Sequence, residues 1–241
     1  MYASYMLCMD EYFTFMLLCA ILTVHEDHKM AAHRLQMHLN KIQSWLKTWR
    51  IKANEAKSVQ ITFTLNKMTW TPVKLKNEHL PQADEVKYPC IHLDRRLTWR
   101  KHITTKRKQL DLKPRNLYWK IGRKSQLSLE NKLIVYKVIL KPVWTYGIQL
   151  WGTASNSNLE ILERFQSKVL RIVTDSPRYI PNTILKRDLR IPMVKQEARK
   201  YSANYRKRLD AHPNLANALF KEQLGNRRLK RLYPADLVTN G

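Results

Sequence analysis

The residues of this chain best suited to chemistry are its bases. Arg95, Arg96, Arg100, Lys101, Lys106, Arg107 and Lys108 fall within fourteen positions, interleaved with Trp99 and His102, and Lys113, Arg115, Lys120, Arg123 and Lys124 extend the run. Between residues 95 and 129 the single acid is Asp111. Fixed positive charge at helical spacing, with almost no carboxylate to neutralise it, suits a phosphate backbone, where binding is driven by release of condensed counterions. On one helix, positions 96, 100, 107 and 120 form a stripe that tracks phosphates, while Trp99 and Ile103 face inward. The competing reading is a solvated helix face, the usual fate of a charge run.

Bond-making or bond-breaking constellations are harder to find. His25, His28, His33 and His38 cluster in sequence, but no cysteine or carboxylate at ligand spacing completes a metal site, so a polar helix face explains them better. The acidic pairs Glu26-Asp27 and Asp84-Glu85 fall at turns, where carboxylates satisfy backbone N–H groups. No nucleophile elbow frames any serine. The five glycines, at 122, 147, 152, 225 and 241, are too dispersed for a phosphate-cradling loop or a dinucleotide fingerprint.

Composition agrees with a binding role. The 241 residues carry 44 Lys+Arg against 19 Asp+Glu, a formal net charge of +25, with 44% hydrophobic and 26% charged residues. That is a globular composition with a strong bias toward a polyanionic partner, nucleic acid first among them. Three scattered cysteines, Cys8, Cys19 and Cys90, make neither a disulfide framework nor a zinc knuckle and point to a reducing, intracellular compartment, nucleus or cytoplasm. The apolar run Phe15–Leu22 is far shorter than the roughly 20 residues a membrane-spanning helix needs, so no membrane partner is expected; it reads as a buried strand or a buried helix turn.

The elements that would position these groups follow from periodicity. Thr23 to Glu26 has the form of a capping box, and Leu35, Leu39, Ile42, Leu46 and Trp49 recur at helical spacing, predicting an amphipathic helix over 25–50. Val59, Ile61, Phe63 and Leu65 alternate with polar residues as in a half-buried strand, and short β-like pieces follow at Val73–Leu75 and Val86–Leu93. Beyond Leu97 the pattern is helical: one helix or two through Trp99, Ile103, Leu110, Leu117 and Ile121, with Pro114 a break or kink; a buried helix opened by Ser128 and ended by Pro142; and a third, capped by Ser157 or Asn158, with Leu162, Phe165, Val169, Leu170 and Val173 on one face. The expected fold class is α+β, a small α/β part followed by a larger, basic, all-helical part. The expected divisions are 1–19 (unplaced), 20–96, 97–175 and a basic helical tail, 176–241.

Several strings resemble a known family. Lys87-Tyr88, His92 to Trp99 (HLDRRLTW), HITTKRKQLDLK at 102–113, RKSQLSLENKLIVYKVILKPVWTYGIQLWG at 123–152 and ERFQSKVLRIV at 163–173 resemble the reverse transcriptases of jockey-type non-LTR retrotransposons over residues 20 to 215. The resemblance implies that 20–96 is the end of a polymerase palm, that 97–175 is thumb-like, and that the partner is an RNA–DNA hybrid or duplex, with other retrotransposon proteins as further partners. It also implies Mg²⁺ as the family's cofactor. The family's catalytic string, Tyr/Phe-Ala-Asp-Asp, falls over Phe15 to Leu18, placing the aspartate pair on Leu17 and Leu18. Leucine offers no oxygen to Mg²⁺, so no cofactor and no retained catalytic residue are expected, and the third acid and the fingers region would lie upstream of Met1.

Other family positions persist in altered form. Asn54-Glu55-Ala56-Lys57 resembles the Asn-x-x-Lys motif, making Lys57 a vestigial proton donor. Tyr88-Pro89-Cys90 stands where the family's primer-grip turn reads Tyr-Leu-Gly, and loss of the glycine disfavours a positive φ there. The nucleic-acid-binding residues expected are Tyr88, Arg95, Arg96, Trp99, Arg100, Lys101, Lys106, Arg107 and Lys108. Three functions stay open: a catalytically inactive remnant that binds template–primer without sequence preference, a degenerate relic with no molecular role, and a polymerase subunit active only with a second chain supplying the acids.

Overall fold

A computed structural model describes residues 2–8, 19–54, 57–65, 71–211 and 236–239. Leu17, Leu18, Glu55 and Ala56 lie outside these residues. The fold is α+β and divides into two compact units, the first ending at Leu97 and the second opening at Thr98. Among the described residues, all the strands belong to the first unit.

In the first unit, β1 (Tyr2–Cys8), β2 (Cys19–His25) and β3 (Val59–Phe63) form an antiparallel sheet in the order β2-β1-β3. Tyr5 on the central strand faces Leu22 on one side and Ile61 on the other. The segment left unplaced from the sequence thus supplies the strand that joins the other two. Helix α1 (His28–Thr48) builds the core: Ala32, Leu35, Leu39 and Leu46 are buried with Ala53, Val73, Leu75 and Leu80, and Ile21 and Ile42 pack against them. The helix begins later than the sequence pattern suggests. Asp27 caps it, its Oδ1 accepting from Lys29 N at 3.1 Å. Thr23 instead lies buried in β2 and donates to Ala31 O at 3.0 Å. Trp49, expected on the apolar face, is the C-cap and is 65% exposed, because the helix ends before a further turn could bury it.

Strand β3 departs from the half-buried expectation, since its polar residues Gln60 and Thr62 are as buried as Ile61 and Phe63. Gln60 is accommodated because its amide replaces a missing strand partner: Oε1 accepts from Val73 N at 3.1 Å and Nε2 donates to Thr71 O at 3.3 Å. Gln36 on α1 does the same for Lys74, accepting from its N–H at 2.7 Å and donating to its carbonyl at 2.9 Å. Buried polar groups paired in this way avoid the cost of an unmade hydrogen bond. Two short hairpins complete the unit, β4 (Lys74–Leu75) with β5 (Glu78–His79), and β6 (Glu85–Tyr88) with β7 (Ile91–Asp94).

The second unit opens with α2 (Arg100–Ile121), one helix that continues through position 114 rather than ending there. Helix α3 (Leu129–Val135) is capped by Ser128, whose Oγ accepts from Asn131 N at 3.3 Å. It runs into a π-helical turn at Tyr136–Leu140 and on into α4 (Lys141–Thr145), which carries Pro142 in its first turn. Pro142 therefore does not stop the helix. The wider turn, closed by Lys141 N–H on Tyr136 O, makes room for a ring that would otherwise collide with a carbonyl one turn back. Nor is this stretch buried all round: Tyr136 and Leu140 are fully enclosed, while Ile134 is 54% and Val138 66% exposed.

Helices α5 (Ile148–Trp151), α6 (Asn156–Thr174), α7 (Asn182–Asp188), α8 (Val194–Asp210) and α9 (Asp236–Thr239) follow. Ser155 caps α6, two residues before Ser157 and three before Asn158, the expected caps, and Leu162, Phe165, Val169, Leu170 and Val173 form its buried face. A Cβ on Gly152 would come within 2.8 Å of the Ala198 Cβ, so α5 and α8 meet at a position that only glycine fits. A polar network locks α6 to its neighbours. Lys186 on α7 is 4% exposed and pairs with Glu163, and its Nζ donates to Gln166 Oε1 at 2.8 Å. Gln166 Nε2 in turn donates to the Tyr136 hydroxyl at 3.0 Å, and Glu163 Oε2 accepts from Val194 N at 2.8 Å. Burial pulls the Lys186 ammonium down to about 8 and pushes the Tyr136 hydroxyl up to about 12, since in each case it strips water from the charged form. Among the described residues no helix is long and apolar enough to cross a membrane.

Candidate nucleic-acid interface

The structure sorts the expected site residues into different jobs. In the first unit, Tyr88 ends β6 half-buried and Lys57 follows the Asn54 turn, its N–H donating to Asn54 Oδ1 at 3.1 Å. The β6–β7 connection is the two-residue turn Pro89-Cys90, and Cys90 takes φ 65°. Glycine's loss has therefore not removed the positive φ. Proline at the first corner and a left-handed residue at the second is the type II pattern, and Cys90 bears the steric cost that glycine would avoid. Arg95 is compensated, its Nη1 lying 3.1 Å from Asp84 Oδ1 in a concavity also lined by Glu85, Asp94 and Arg96. Arg96 is exposed and precedes the helix, within the first unit. It therefore does not share the face of α2 assigned to it from spacing.

In the second unit, Trp99 faces inward, as its spacing from Ile103 implies. It is 6% exposed, caps α2 with φ 63°, and its Nε1 donates to Thr153 Oγ1 at 3.0 Å. A ring held this way fixes where α2 begins and presents no face for a base to stack on. Arg107 is also taken up internally: it pairs with Asp111 and its guanidinium lies 4.9 Å from the Phe165 ring centroid on α6. Lys106 lies half-buried over Tyr146 at 5.6 Å. These contacts arise because α2 buries Ile103, Leu110 and Ile121, which turns positions 106 and 107 toward its flanks.

What remains in solvent is a different line of side chains. Arg100, Lys101, Lys108, Lys113 and Lys120 are exposed. Lys101, Lys108 and Trp119 recur after seven and eleven residues, two and three helical turns, and so share one face. Trp119 is 70% exposed, with Lys120 Nζ 4.7 Å from its ring centroid, and Tyr118 is 55% exposed. Exposed aromatics interleaved with bases are the composition of a surface that pairs phosphates with stacking. Sequence reasoning misses Trp119 because the densest bases lie at 95–108; its spacing from Lys101 and Lys108 is the signal that could have found it. His25 Nδ1 accepts from Asp27 N at 3.0 Å, and among the described residues no three His, Cys, Asp or Glu side chains are grouped to hold a metal ion.

A second concentration of bases lies in a cleft of about 620 Å³ in the same unit, lined by Tyr118, Arg123, Arg164, Lys168, Arg171, Arg178 and others.

No protein-family profile matches the chain, and no solved structure matches it. Curated relatives do. The chain is 40% identical over 210 residues to a probable RNA-directed DNA polymerase from transposon X-element of Drosophila melanogaster, covering 87% of the chain and 23% of the relative. It is 34% identical over 203 residues to a probable RNA-directed DNA polymerase from transposon BS of the same species, covering 83% and 22%. It is 32% identical over 228 residues to the RNA-directed DNA polymerase from mobile element jockey of Drosophila funebris, covering 91% and 25%. The chain thus spans about a quarter of the length of each relative. Over 83–91% of its own length the chain is thus homologous to a part of the RNA-directed DNA polymerases from jockey and related transposons.

Proposed function

We propose that this chain binds nucleic acid of the template–primer kind, an RNA–DNA hybrid or duplex, without sequence preference, and that it does not polymerise DNA by itself. The observation that carries the binding half is the exposed face of α2, where Lys101, Lys108 and Trp119 align and Arg100, Lys113 and Lys120 add charge. Such a face contacts backbone and base planes, which are common to all sequences. Homology to RNA-directed DNA polymerases supports the same partner class.

The inactive half rests on Leu17 and Leu18, which stand where the family pattern has its aspartate pair. The Mg²⁺ that the family uses needs hard oxygen ligands, and neither leucine supplies one. Lys57 keeps its place after Asn54 but has no metal-bound phosphate to serve. Primer extension with Mg²⁺ on an RNA template tests this half: no extended product is expected, and product from the chain alone would refute it. For the binding half, 6–10 phosphate contacts imply that affinity for a labelled hybrid falls by about 10³–10⁵ between 50 and 200 mM salt. Affinity indifferent to salt would refute it.

A further inference from the structure

The cleft at the end of α2 has a composition that packing alone does not require. Arg164, Lys168 and Arg171 follow one another on α6 at four and three residues, Arg123 approaches from beyond α2, and Arg178 comes from the segment that joins α6 to α7. Five cations thus surround about 620 Å³, with Asp175 the acid on the lining. Like charges one turn apart on a helix are mutually destabilising, and a concavity lined with one sign focuses its field.

Two of the five cations build the cleft. Arg171 donates to Pro177 O at 2.6 Å, Ile180 O at 2.5 Å and Asn182 Oδ1 at 2.8 Å, folding the 175–182 segment back onto α6. That fold-back is what carries Arg178 to the rim. Arg123 Nε lies 3.0 Å from Asp175 Oδ2, closing the other side. The remaining three, Arg164, Lys168 and Arg178, have no carboxylate partner among the described residues. Their side chains line the cleft, Arg164 also donating from Nε to Glu160 O at 3.3 Å.

The geometry points to a phosphate-binding cleft, in which Arg164, Lys168 and Arg178 seat the phosphodiester backbone of a nucleic-acid strand, in addition to the contacts made by the Lys101–Lys108–Trp119 face. This assignment rests on the nucleic-acid reading above and extends it to a second contact. The cleft is concave, so it takes a phosphate chain rather than a base plane. Free oligophosphate shares that chemistry, and the test separates the two sources.

The experiment compares the full chain with Lys168→Glu/Arg178→Glu and with Lys195→Glu/Lys200→Glu, a control with the same change in net charge on exposed positions of α8. Each is titrated with a labelled RNA–DNA hybrid across salt concentrations, and each is melted with and without tripolyphosphate. The cleft variant is expected to bind the hybrid at least tenfold more weakly at 100 mM salt and to lower the log–log salt slope by about 1–2, close to one for each phosphate no longer neutralised. The control should change affinity less than threefold. Tripolyphosphate should raise the melting temperature of the parent and not that of the cleft variant. Equal losses in the two variants, or an unchanged slope in the cleft variant, overturn the assignment even when the parent binds hybrid well. If the parent binds no hybrid, the broader reading fails, and the cleft is judged on tripolyphosphate alone: a shift abolished by Lys168→Glu/Arg178→Glu keeps it as an oligophosphate site, and no shift overturns it.

Discussion

The Arg107 guanidinium lies 4.9 Å from the centroid of the Phe165 ring and pairs with Asp111 on its own helix. A base that spacing alone assigns to a phosphate-tracking stripe is therefore part of the α2–α6 packing. The Lys101 and Lys108 side chains are exposed, about 100–120° further round the helix.

The two kinds of base predict different phenotypes. Arg107→Ala should destabilise the fold by about 1 kcal/mol, the scale of a partly desolvated cation–π contact, and leave the salt slope of hybrid binding unchanged. Lys108→Ala/Lys113→Ala should leave the melting temperature within error and reduce that slope by about 2, one per phosphate contact. Thermal melts paired with salt titrations of both variants check the separation.

Gln60 is buried in β3 and serves as strand partner to Thr71 and Val73. Gln60→Leu keeps the volume and strands the Val73 N–H and the Thr71 carbonyl away from water, so urea unfolding should show a loss of about 1–3 kcal/mol. The change should not affect hybrid binding per folded molecule.

Much of the fold was legible in the sequence, for reasons that locate the failures. Helices α1 and α6 were readable because Leu35, Leu39 and Leu46, and Leu162, Phe165, Val169 and Val173, each mark a single buried stripe. The burial of β3 was not, because a glutamine at an alternating position looks solvent-facing until its amide partners are known. Pro142 misled because local rules treat proline as a stop, whereas the π-turn that admits it depends on the surrounding packing. At the site, charge is densest over 95–108, but which bases stay in solvent depends on where α2 buries Ile103 and Leu110. The cleft bases come from three separate segments that no linear window unites.

Stability should follow pH in a pattern set by the buried network. Lys186 gives up its proton at about 8 in the folded chain and at 10.5 when unfolded. Between those values the unfolded state holds the extra proton, so stability rises with pH through that window, by about 3 kcal/mol at most. Tyr136 behaves oppositely: it ionises at 10.0 when unfolded and at about 12 when folded, so above pH 10 the unfolded state has already lost its proton and stability falls. Denaturant melts should place a maximum near pH 10, and Lys186→Met should flatten the rise between 8 and 10. A stability that declines steadily from pH 8 would contradict the lowered pKa of Lys186.

Cys90 occupies φ 65° at the second corner of the β6–β7 turn. Cys90→Gly removes that steric cost at the expense of a more flexible unfolded chain, and the balance favours glycine by about 0.5–1 kcal/mol. A rise in melting temperature of the variant checks it.

The most direct measurement is fluorescence anisotropy of the full chain against two labelled RNA–DNA hybrids of equal length and unrelated sequence, at 50 and 200 mM salt. One saturable curve shared by both hybrids is expected at 50 mM, with a loss of about 10³-fold or more at 200 mM. No saturable binding at 50 mM, or a clear preference for one hybrid that survives at 200 mM, would contradict that expectation.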